Sequence, residues 1–388
     1  LVKAFLRLEP EYASKIKSVW SQREVPQALR RKLKLPPLDK GIDLVAETND
    51  GEFWAIQCKY RQDTNSSLTW SELSTFPGLA FGVCNNIAFG LVCSTTERIT
   101  SVLKDQERIG YLALDVWQSI DDKFLARLRA YLADKPEELK PFRPHPHQKK
   151  AVEDGHKHFV TGRAKRGKLI MPCGSGKSLT AYWITRKLDA RHIVIAMPSL
   201  ALIRQTLKFW LRETMANHQV VNWICVCSDE SAGRIERDDL AVLRQDLGVP
   251  CLTSPNEIAV WMKRKHRGFT VVFTTYQSGE ALSQAARSAN FRFDLGVMDE
   301  AHKTVGRRES LFAHLLYERN IKIRSRVFMT ATERLYQGKS DEIASMDDID
   351  LYGDTFELLS FKEALECDPP ILSDYRIVTL FVSRKEIK

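Results

Sequence analysis

The spacing of apolar side chains changes period several times along the chain, and each change marks an expected element. From residue 1 to about 35 the apolar positions recur at helical spacing, and Pro36-Pro37 closes that stretch. From Ile42 to Glu47 and from Phe53 to Tyr60 the period shortens to two around Asn49-Asp50-Gly51. This predicts a β-hairpin with glycine in the left-handed position of the turn. With the turn at 49–51, Thr48 pairs with Glu52 and Asp43 falls opposite Gln57. Asp43, Gln57 and Lys59 then share one face, while Trp54, Ile56 and Cys58 occupy the opposite, packed face. A further strand from Ile87 to Cys93 leads into Thr95-Thr96 and a helix, and Tyr111 to Val116 reads as the last strand. Together these make a small α/β domain ending near residue 118.

Residues 119–141 read as a charged amphipathic helix broken by Lys135-Pro136 and Lys140-Pro141, a tether between domains. Beyond it, over 142–388, the pattern changes again. Short apolar runs at 167–171, 192–197, 221–227, 270–275, 294–298 and 326–329 alternate with helical stretches. That alternation predicts a mostly parallel, doubly wound sheet, so both halves fall in the α/β class. No internal repeat or low-complexity tract interrupts it.

Length and composition narrow the picture. At 388 residues, two or three domains are expected, and 44% hydrophobic with 28% charged residues excludes wholesale disorder. Lys and Arg number 58 against 49 Asp and Glu, a formal +9 that suits a polyanionic partner. The eight cysteines show no CxxC pair, so we expect reduced, buried thiols in a cytoplasm. The most lipid-like stretch, Gly78 to Cys93, contains Asn85 and Asn86 and is shorter than the roughly 18 apolar residues of a membrane helix. No basic-then-apolar signal follows Leu1, and the expectation is a cytoplasmic chain that is a piece of something larger.

The sharpest chemistry lies at Gly167 to Ser178, where a strand runs through Pro172-Cys173-Gly174-Ser175-Gly176 into a helix opened by Lys177-Ser178. Such a turn aims backbone N–H groups at a phosphate chain. Gly174, Ser175 and Gly176 are expected to form the cradle, Lys177 would reach the β/γ-phosphates of a nucleotide, and the Ser178 hydroxyl would bind Mg²⁺. Met171 departs from the usual small first residue of the loop. Downstream, the apolar run Phe293 to Met298 delivers Asp299-Glu300-Ala301-His302 to the strand edge where ligands bind in open α/β sheets. Asp299 suits Mg²⁺ and Glu300 suits the attacking water. A solvated acidic helix start is the plainer alternative.

In this order the motifs resemble those of superfamily 2 helicases and DNA translocases of the DEAH type, over roughly residues 140 to 388. Met197-Pro198-Ser199 and Thr274-Thr275-Tyr276 resemble that family's DNA-backbone segments, and Thr330-Ala331-Thr332 its coupling motif. Gln148 resembles its adenine-reading glutamine, and Tyr352-Gly353 through Leu372-Ser373-Asp374-Tyr375 the end of the first motor lobe. The resemblance implies that Ser199, Thr274 and Thr275 touch nucleic-acid phosphates, and that His302, Thr330 and Thr332 relay nucleotide state to the DNA groove. It also implies a RecA-like lobe 1 without its lobe 2, which supplies an arginine finger in that family. The expectation is therefore ATP and Mg²⁺ binding with poor hydrolysis.

On the hairpin, a carboxylate, an amide oxygen and an ammonium on one face suit one hard cation and a water aimed at a phosphodiester, although a wet face of ordinary polar residues has the same spacing. The wording resembles the Mrr-like branch of the PD-(D/E)xK nuclease superfamily, in which Gln-x-Lys replaces Glu-x-Lys. That implies Asp43 as metal ligand, Gln57 as the second ligand position and Lys59 as the group stabilising the nucleophile or the developing charge. Glu24 and Asp39 are candidates for a further acidic ligand, and Arg30-Arg31-Lys32 with Lys34 for a phosphate contact. His145, His147, His156 and His158 read as surface histidines, and Cys225 and Cys227 as buried strand residues.

A nuclease over 1–118, a helical linker over 119–141 and a motor lobe over 142–388 together resemble the amino-terminal part of type ISP restriction-modification enzymes. That implies ATP-powered translocation on double-stranded DNA and Mg²⁺-dependent cleavage, with methyltransferase and target-recognition domains elsewhere on the full-length chain and no membrane partner. Two alternatives stay open: a motor whose nuclease-like domain only grips DNA, and a stand-alone antiphage helicase-nuclease.

Overall fold

The computed structural model describes residues 1–37, 41–97, 106–228, 244–336 and 342–374. Asp39 and Tyr375 lie outside the described residues, as does most of the helix expected after Thr96.

Five strands form the first sheet: β1 (Ile16–Ser21), β2 (Leu44–Thr48), β3 (Phe53–Lys59), β4 (Ile87–Ser94) and β5 (Ile109–Leu112), hydrogen-bonded in that order. The first three are antiparallel, and β3, β4 and β5 run parallel. The hairpin register is the expected one: Leu44 pairs with Ile56, and the Thr48 N–H meets the Glu52 carbonyl. Two elements differ from the sequence reading. The helical stretch over 1–35 is two short helices, Val2–Leu8 and Pro10–Ala13, then β1, then a helix Gln27–Lys32. A bulge between Ile16 and Ser18 breaks the alternation of β1, so Ile16, Val19 and Trp20 fall at spacings that imitate a helix. The expected strand from Tyr111 to Val116 ends at Leu112 and turns into the helix Leu114–Gln118.

Both faces of this sheet are covered. Val45, Phe53, Ala55 and Val92 pack against Leu33, Leu73 and Phe76 on one side. Ala46, Trp54, Ile56 and Leu91 lie on the other, in a core that runs without a break into the second sheet. Phe124 and Leu128 of the helix Asp122–Leu132 are part of that same core, and Arg127 donates to the Leu8 carbonyl at 2.8 Å. The expected tether is therefore packed, because its apolar stripe finds a partner.

The second sheet is built from β6 (Arg166–Ile170), β7 (His192–Met197), β8 (Val221–Val226), β9 (Cys251–Leu252), β10 (Phe269–Thr275), β11 (Phe293–Met298), β13 (Ile323–Thr330) and β15 (Asp354–Leu358), while β12 (Gly306–Arg307) and β14 (Ile343–Ala344) make a small separate ribbon. Its order is β15-β6-β13-β11-β7-β10-β8-β9, parallel throughout. Near-continuous runs of buried Val, Ile and Phe explain the arrangement, since a parallel sheet is covered on both faces. Ile193, Ile195 and Phe273 point to one core and Val194, Ala196 and Val272 to the other. The two edge strands β9 and β15 escaped the sequence reading; two residues carry no period, and Asp354–Leu358 is largely polar.

The two sheets meet through specific contacts. The Tyr12 hydroxyl donates to the Gly248 carbonyl at 3.1 Å, and Trp223 Nε1 donates to Ser14 Oγ at 3.0 Å. Lys15 Nζ bonds the Trp223 carbonyl at 3.0 Å and lies 4.6 Å from its ring centroid. Arg204–Asp115 at 2.7 Å and Arg264–Glu52 at 3.3 Å flank the junction. No helix among the described residues is long and apolar enough to cross a membrane.

Candidate active sites

Parallel strands deliver all their C-terminal ends to one edge, and the strand order decides which loops become neighbours. The glycine loop follows β6, Thr330 ends β13, Asp299 follows β11, Ser199 follows β7 and Thr275 ends β10. Because β6, β13, β11, β7 and β10 are consecutive in the sheet, these segments line one continuous edge, although they span some 160 residues of chain.

Gly174 and Gly176 hold φ of +84° and +83°, the left-handed conformation that favours glycine and curls the loop around its N–H groups. Lys177 opens the helix Lys177–Lys187, is buried, and donates through Nζ to the Met171 carbonyl at 3.1 Å. The Ser178 Oγ is buried and has no hydrogen-bond partner in the protein. A buried hydroxyl left unpaired costs free energy; a cation ligated there removes the cost, so the residue fits Mg²⁺. Asp299 is 8% exposed, and burial, then the charge of Glu300, pushes its carboxyl up to about 6. The Lys177 charge opposes that rise only weakly, so a divalent cation would supply the counter-charge that burial leaves wanting. Its Oδ1 accepts the Glu300 N–H at 2.9 Å, and Glu300 sits at φ +47°, a conformation L-residues seldom adopt and one that concentrates at functional sites.

Glu300 Oε2 lies 3.4 Å from His302 Nδ1, which is 3.0 Å from Thr330 Oγ1. The Thr330 hydroxyl gives its own proton to the Thr332 carbonyl at 2.8 Å, so His302 Nδ1 is the donor in that contact. Burial lowers the His302 pKa, which favours the neutral ring. The Thr330 carbonyl in turn accepts the Met171 N–H at 3.0 Å, joining the end of β13 to the glycine loop. Ser199 caps the helix Leu200–Ala216, its Oγ accepting the Leu202 N–H. Thr274 and Thr275 require a correction. Both are 0% exposed, with hydroxyls spent on the Val226 carbonyl at 2.9 Å and Ser278 Oγ at 3.0 Å. Their side chains stabilise the strand end and present no hydroxyl to a phosphate.

Gln148 is buried against the phosphate loop: its Oε1 accepts the His145 N–H at 2.9 Å, and its Nε2 lies 3.4 Å from the Ser175 and Gly176 carbonyls. It lines a cavity of about 490 Å³ together with Phe142, His147, Trp183 and Ile371. His147, expected at the surface, instead holds the Ser175 carbonyl at 3.0 Å, and His158 holds the Arg166 carbonyl at 2.7 Å. Trp183 had no sequence signal beyond its apolar helix position. Cys225 and Cys227 are buried as expected, whereas Cys173 is exposed on the loop.

At the other site, Asp43 immediately precedes β2 and its Oδ2 accepts the Cys58 N–H at 2.6 Å. The strand pairing ends at Leu44 with Ile56, and the Asp43 N–H donates to the Ile56 carbonyl at 2.9 Å; Gln57 is the next residue of β3, and Lys59 follows two residues on along the same face. That face is only partly wet, since Asp43 and Lys59 are half-buried and Gln57 is sealed. Gln57 is 2% exposed, and its Oε1 is buried without a partner. Burying an amide oxygen unsatisfied is the arrangement expected of a ligand atom held ready, so Asp43 and Gln57 fit a hard cation. Gly41 makes room for it: a Cβ there would stand 3.3 Å from Gln57 Nε2. Lys59 forms no ion pair among the described residues. Glu24 is engaged elsewhere, in the turn after β1. Lys3 Nζ at 2.7 Å, with the Ser21 N–H at 2.8 Å, takes its carboxylate down to about 2. The basic run is also partly spent, since Arg30 bonds the Pro36 and Gln22 carbonyls and Lys32 lies over the Phe53 ring.

Two family models match the chain. One, described as restriction endonuclease, covers residues 7–110, and the other, type III restriction enzyme, res subunit, covers residues 141–334. Among solved structures, the ATP-dependent type ISP restriction-modification enzyme LlaBIII bound to DNA is 27% identical with a TM-score of 0.75, over 97% of this chain and 24% of that one. The probable helicase A859L of African swine fever virus is 27% identical over 221 residues, 57% of this chain and 22% of the viral protein. The factor IIH helicase/translocase subunit XPB2 of Arabidopsis thaliana is 29% identical over 166 residues, 42% of this chain and 18% of the plant protein. The chain thus spans about a quarter or less of the length of each of these relatives.

Proposed function

This chain belongs to the type III restriction enzyme res-subunit family and carries a restriction-endonuclease domain ahead of that match; on this footing we propose that it is the nuclease and first motor lobe of an ATP-driven DNA translocase and endonuclease of the type ISP kind. One observation carries the reading: Ser178 Oγ and Gln57 Oε1 are both buried without a partner, each in a site that also holds a carboxylate, Asp299 in the first and Asp43 in the second.

In the motor, the N–H groups of 174–178 and the Lys177 ammonium bind the phosphates of ATP, while Gln148 and the cavity beside it take the base. Ser178 and Asp299 hold Mg²⁺, which when bound neutralises charge on the β- and γ-phosphates. Glu300 orients the attacking water, and its contact with His302 passes that state to Thr330 and the DNA-facing edge. In the nuclease, Asp43 and Gln57 hold a second Mg²⁺, and Lys59 stabilises the nucleophile or the charge that develops on the phosphodiester. Sequence recognition and methyl transfer are assigned to parts of a longer protein; ATP is the substrate of the motor site and duplex DNA that of the nuclease site.

Mg²⁺-dependent nicking of supercoiled plasmid tests the reading. The wild-type protein nicks, and Lys59→Ala abolishes nicking while retaining duplex binding. Undiminished nicking by Lys59→Ala removes the nuclease assignment. In the complete enzyme, Lys177→Ala stops ATP-dependent cleavage of long DNA.

A further inference from the structure

The edge of the large sheet opposite the nucleotide also has a pattern. There the chain enters each strand, and it does so through a basic turn. Arg163 and Lys165 precede β6, Lys322 precedes β13 and Arg324 is its second residue, Arg292 precedes β11, and Arg191 precedes β7. Lys265 and Arg267 precede β10. All of these side chains are exposed. Since β6, β13, β11, β7 and β10 are consecutive, the turns lie side by side. Four strand spacings of about 4.8 Å make a band about 19 Å long.

Three ordinary explanations for such cations do not account for the band. Partner carboxylates are scarce: Arg324 has only a long contact to Asp294 at 3.9 Å, and the others named form no ion pair among the described residues. Of the acids at this edge, Asp294 is taken by the Arg191 and His192 N–H groups at 2.9 Å each, and Glu318 pairs with the buried Arg326 at 3.2 Å. Asp189 and Asp354 add two further negative charges, Asp354 at the entry of the edge strand β15 and so at the end of the band beyond β6. Helix C-termini favour cations only within their last turn, and Arg191 and Arg292 stand four residues beyond the helices ending at Lys187 and Ser288. Nor is the surface flat, for Lys165, Arg292, Lys322 and Arg324 rim a concavity of about 600 Å³.

We infer that the strand-entry edge of the motor sheet is a second DNA-binding surface, which holds the phosphate backbone of duplex DNA without regard to sequence. Duplex DNA offers one charge per about 1.7 Å of axis, so the band matches about half a helical turn. This surface lies on the edge away from the nucleotide and from the segments that resemble DNA contacts. Duplex therefore meets one lobe at two places. The inference does not depend on either active site cutting or turning over.

The test is fluorescence anisotropy of a labelled 40-base-pair duplex with the full chain, titrated between 50 and 200 mM salt. The variant is Lys165→Glu/Arg292→Glu/Lys322→Glu, with the corresponding glutamine triple as a milder companion. Three lost phosphate contacts lower the slope of log affinity against log salt by about 2.7. Affinity at 50 mM falls at least tenfold for the glutamate triple and less for the glutamine triple. Binding of a fluorescent ATP analogue, unchanged in both, reports an intact lobe. An unchanged slope and affinity in both triples overturns the inference and leaves the proposed function standing. Tighter binding of a single strand than of duplex also overturns it. Loss of plasmid nicking in Lys59→Ala bears only on the nuclease.

Discussion

Asp299→Asn should stabilise the protein while disabling its nucleotide site. Asp299 is buried, and its carboxyl is held at about 6 against an ordinary 3.8. An acid whose pKa is higher folded than unfolded binds more protons in the folded state between those two values. Stability therefore falls as pH climbs from about 4 to about 6, and the loss persists above. Two pKa units correspond to about 3 kcal/mol. Because the side chain is only 8% exposed, little of that is screened. Asparagine keeps an oxygen for the Glu300 N–H, which Asp299 Oδ1 now accepts at 2.9 Å, and removes the charge. Urea unfolding in EDTA at pH 8 should place the variant about 3 kcal/mol above wild type, with the difference vanishing near pH 4. Saturating ATP and Mg²⁺ should then raise the wild type by up to about 4 kcal/mol at a thousandfold excess over Kd, and the variant far less. A variant equal to or less stable than wild type at pH 8 refutes the argument that this carboxylate is kept costly until a cation arrives.

Three further outcomes follow from the same geometry. Gly248→Ala should cost at least about 2 kcal/mol in thermal or urea unfolding, since its φ of +65° disfavours a side chain and a Cβ there would stand 2.4 Å from the Tyr12 hydroxyl and 3.1 Å from the Tyr111 carbonyl. Thr330→Val keeps the strand but removes the oxygen that His302 Nδ1 meets at 3.0 Å. Binding of an ATP analogue should stay within about twofold, while in the complete enzyme the DNA-stimulated part of ATP hydrolysis falls at least tenfold, about 1.4 kcal/mol. Gln57→Glu turns a neutral ligand into an anionic one, and half-maximal nicking should need several-fold less Mg²⁺; an unchanged or higher requirement would place the cation away from residue 57.

Local order made much of this chain legible. The period-two runs around Asn49-Asp50-Gly51 predicted the register seen from Leu44 with Ile56 to Glu47 with Phe53, because side-chain direction in a strand depends only on parity. Six of the eight strands of the large sheet stood out as short apolar runs, and the left-handed glycine turn at Gly174 and Gly176 and the strand that ends before Asp299 and Glu300 were legible too. The failures were equally physical. Parity says which side chains share a face, but not what covers that face. The hairpin's polar side was therefore readable as wet, when Gln57 is in fact buried, and Thr274 and Thr275 were readable as DNA contacts when their hydroxyls are sealed in. A bulge erased the alternation of β1.

Strand order belongs to the tertiary structure alone, because hydrogen bonding across a sheet is indifferent to distance along the chain. That order makes neighbours of β6, β13 and β11, and so brings Ser178, Thr330 and Asp299 to one edge and the basic turns to the other. The packing of the first sheet onto the second, through contacts such as Tyr12 with Gly248 across 236 residues, likewise turned an expected tether into a shared core. The sequence alone determined which chemical groups this protein owns and which way most of them point. Only the fold decided which of them meet, and which carry the cost of burial without a partner, as Ser178 and Gln57 do.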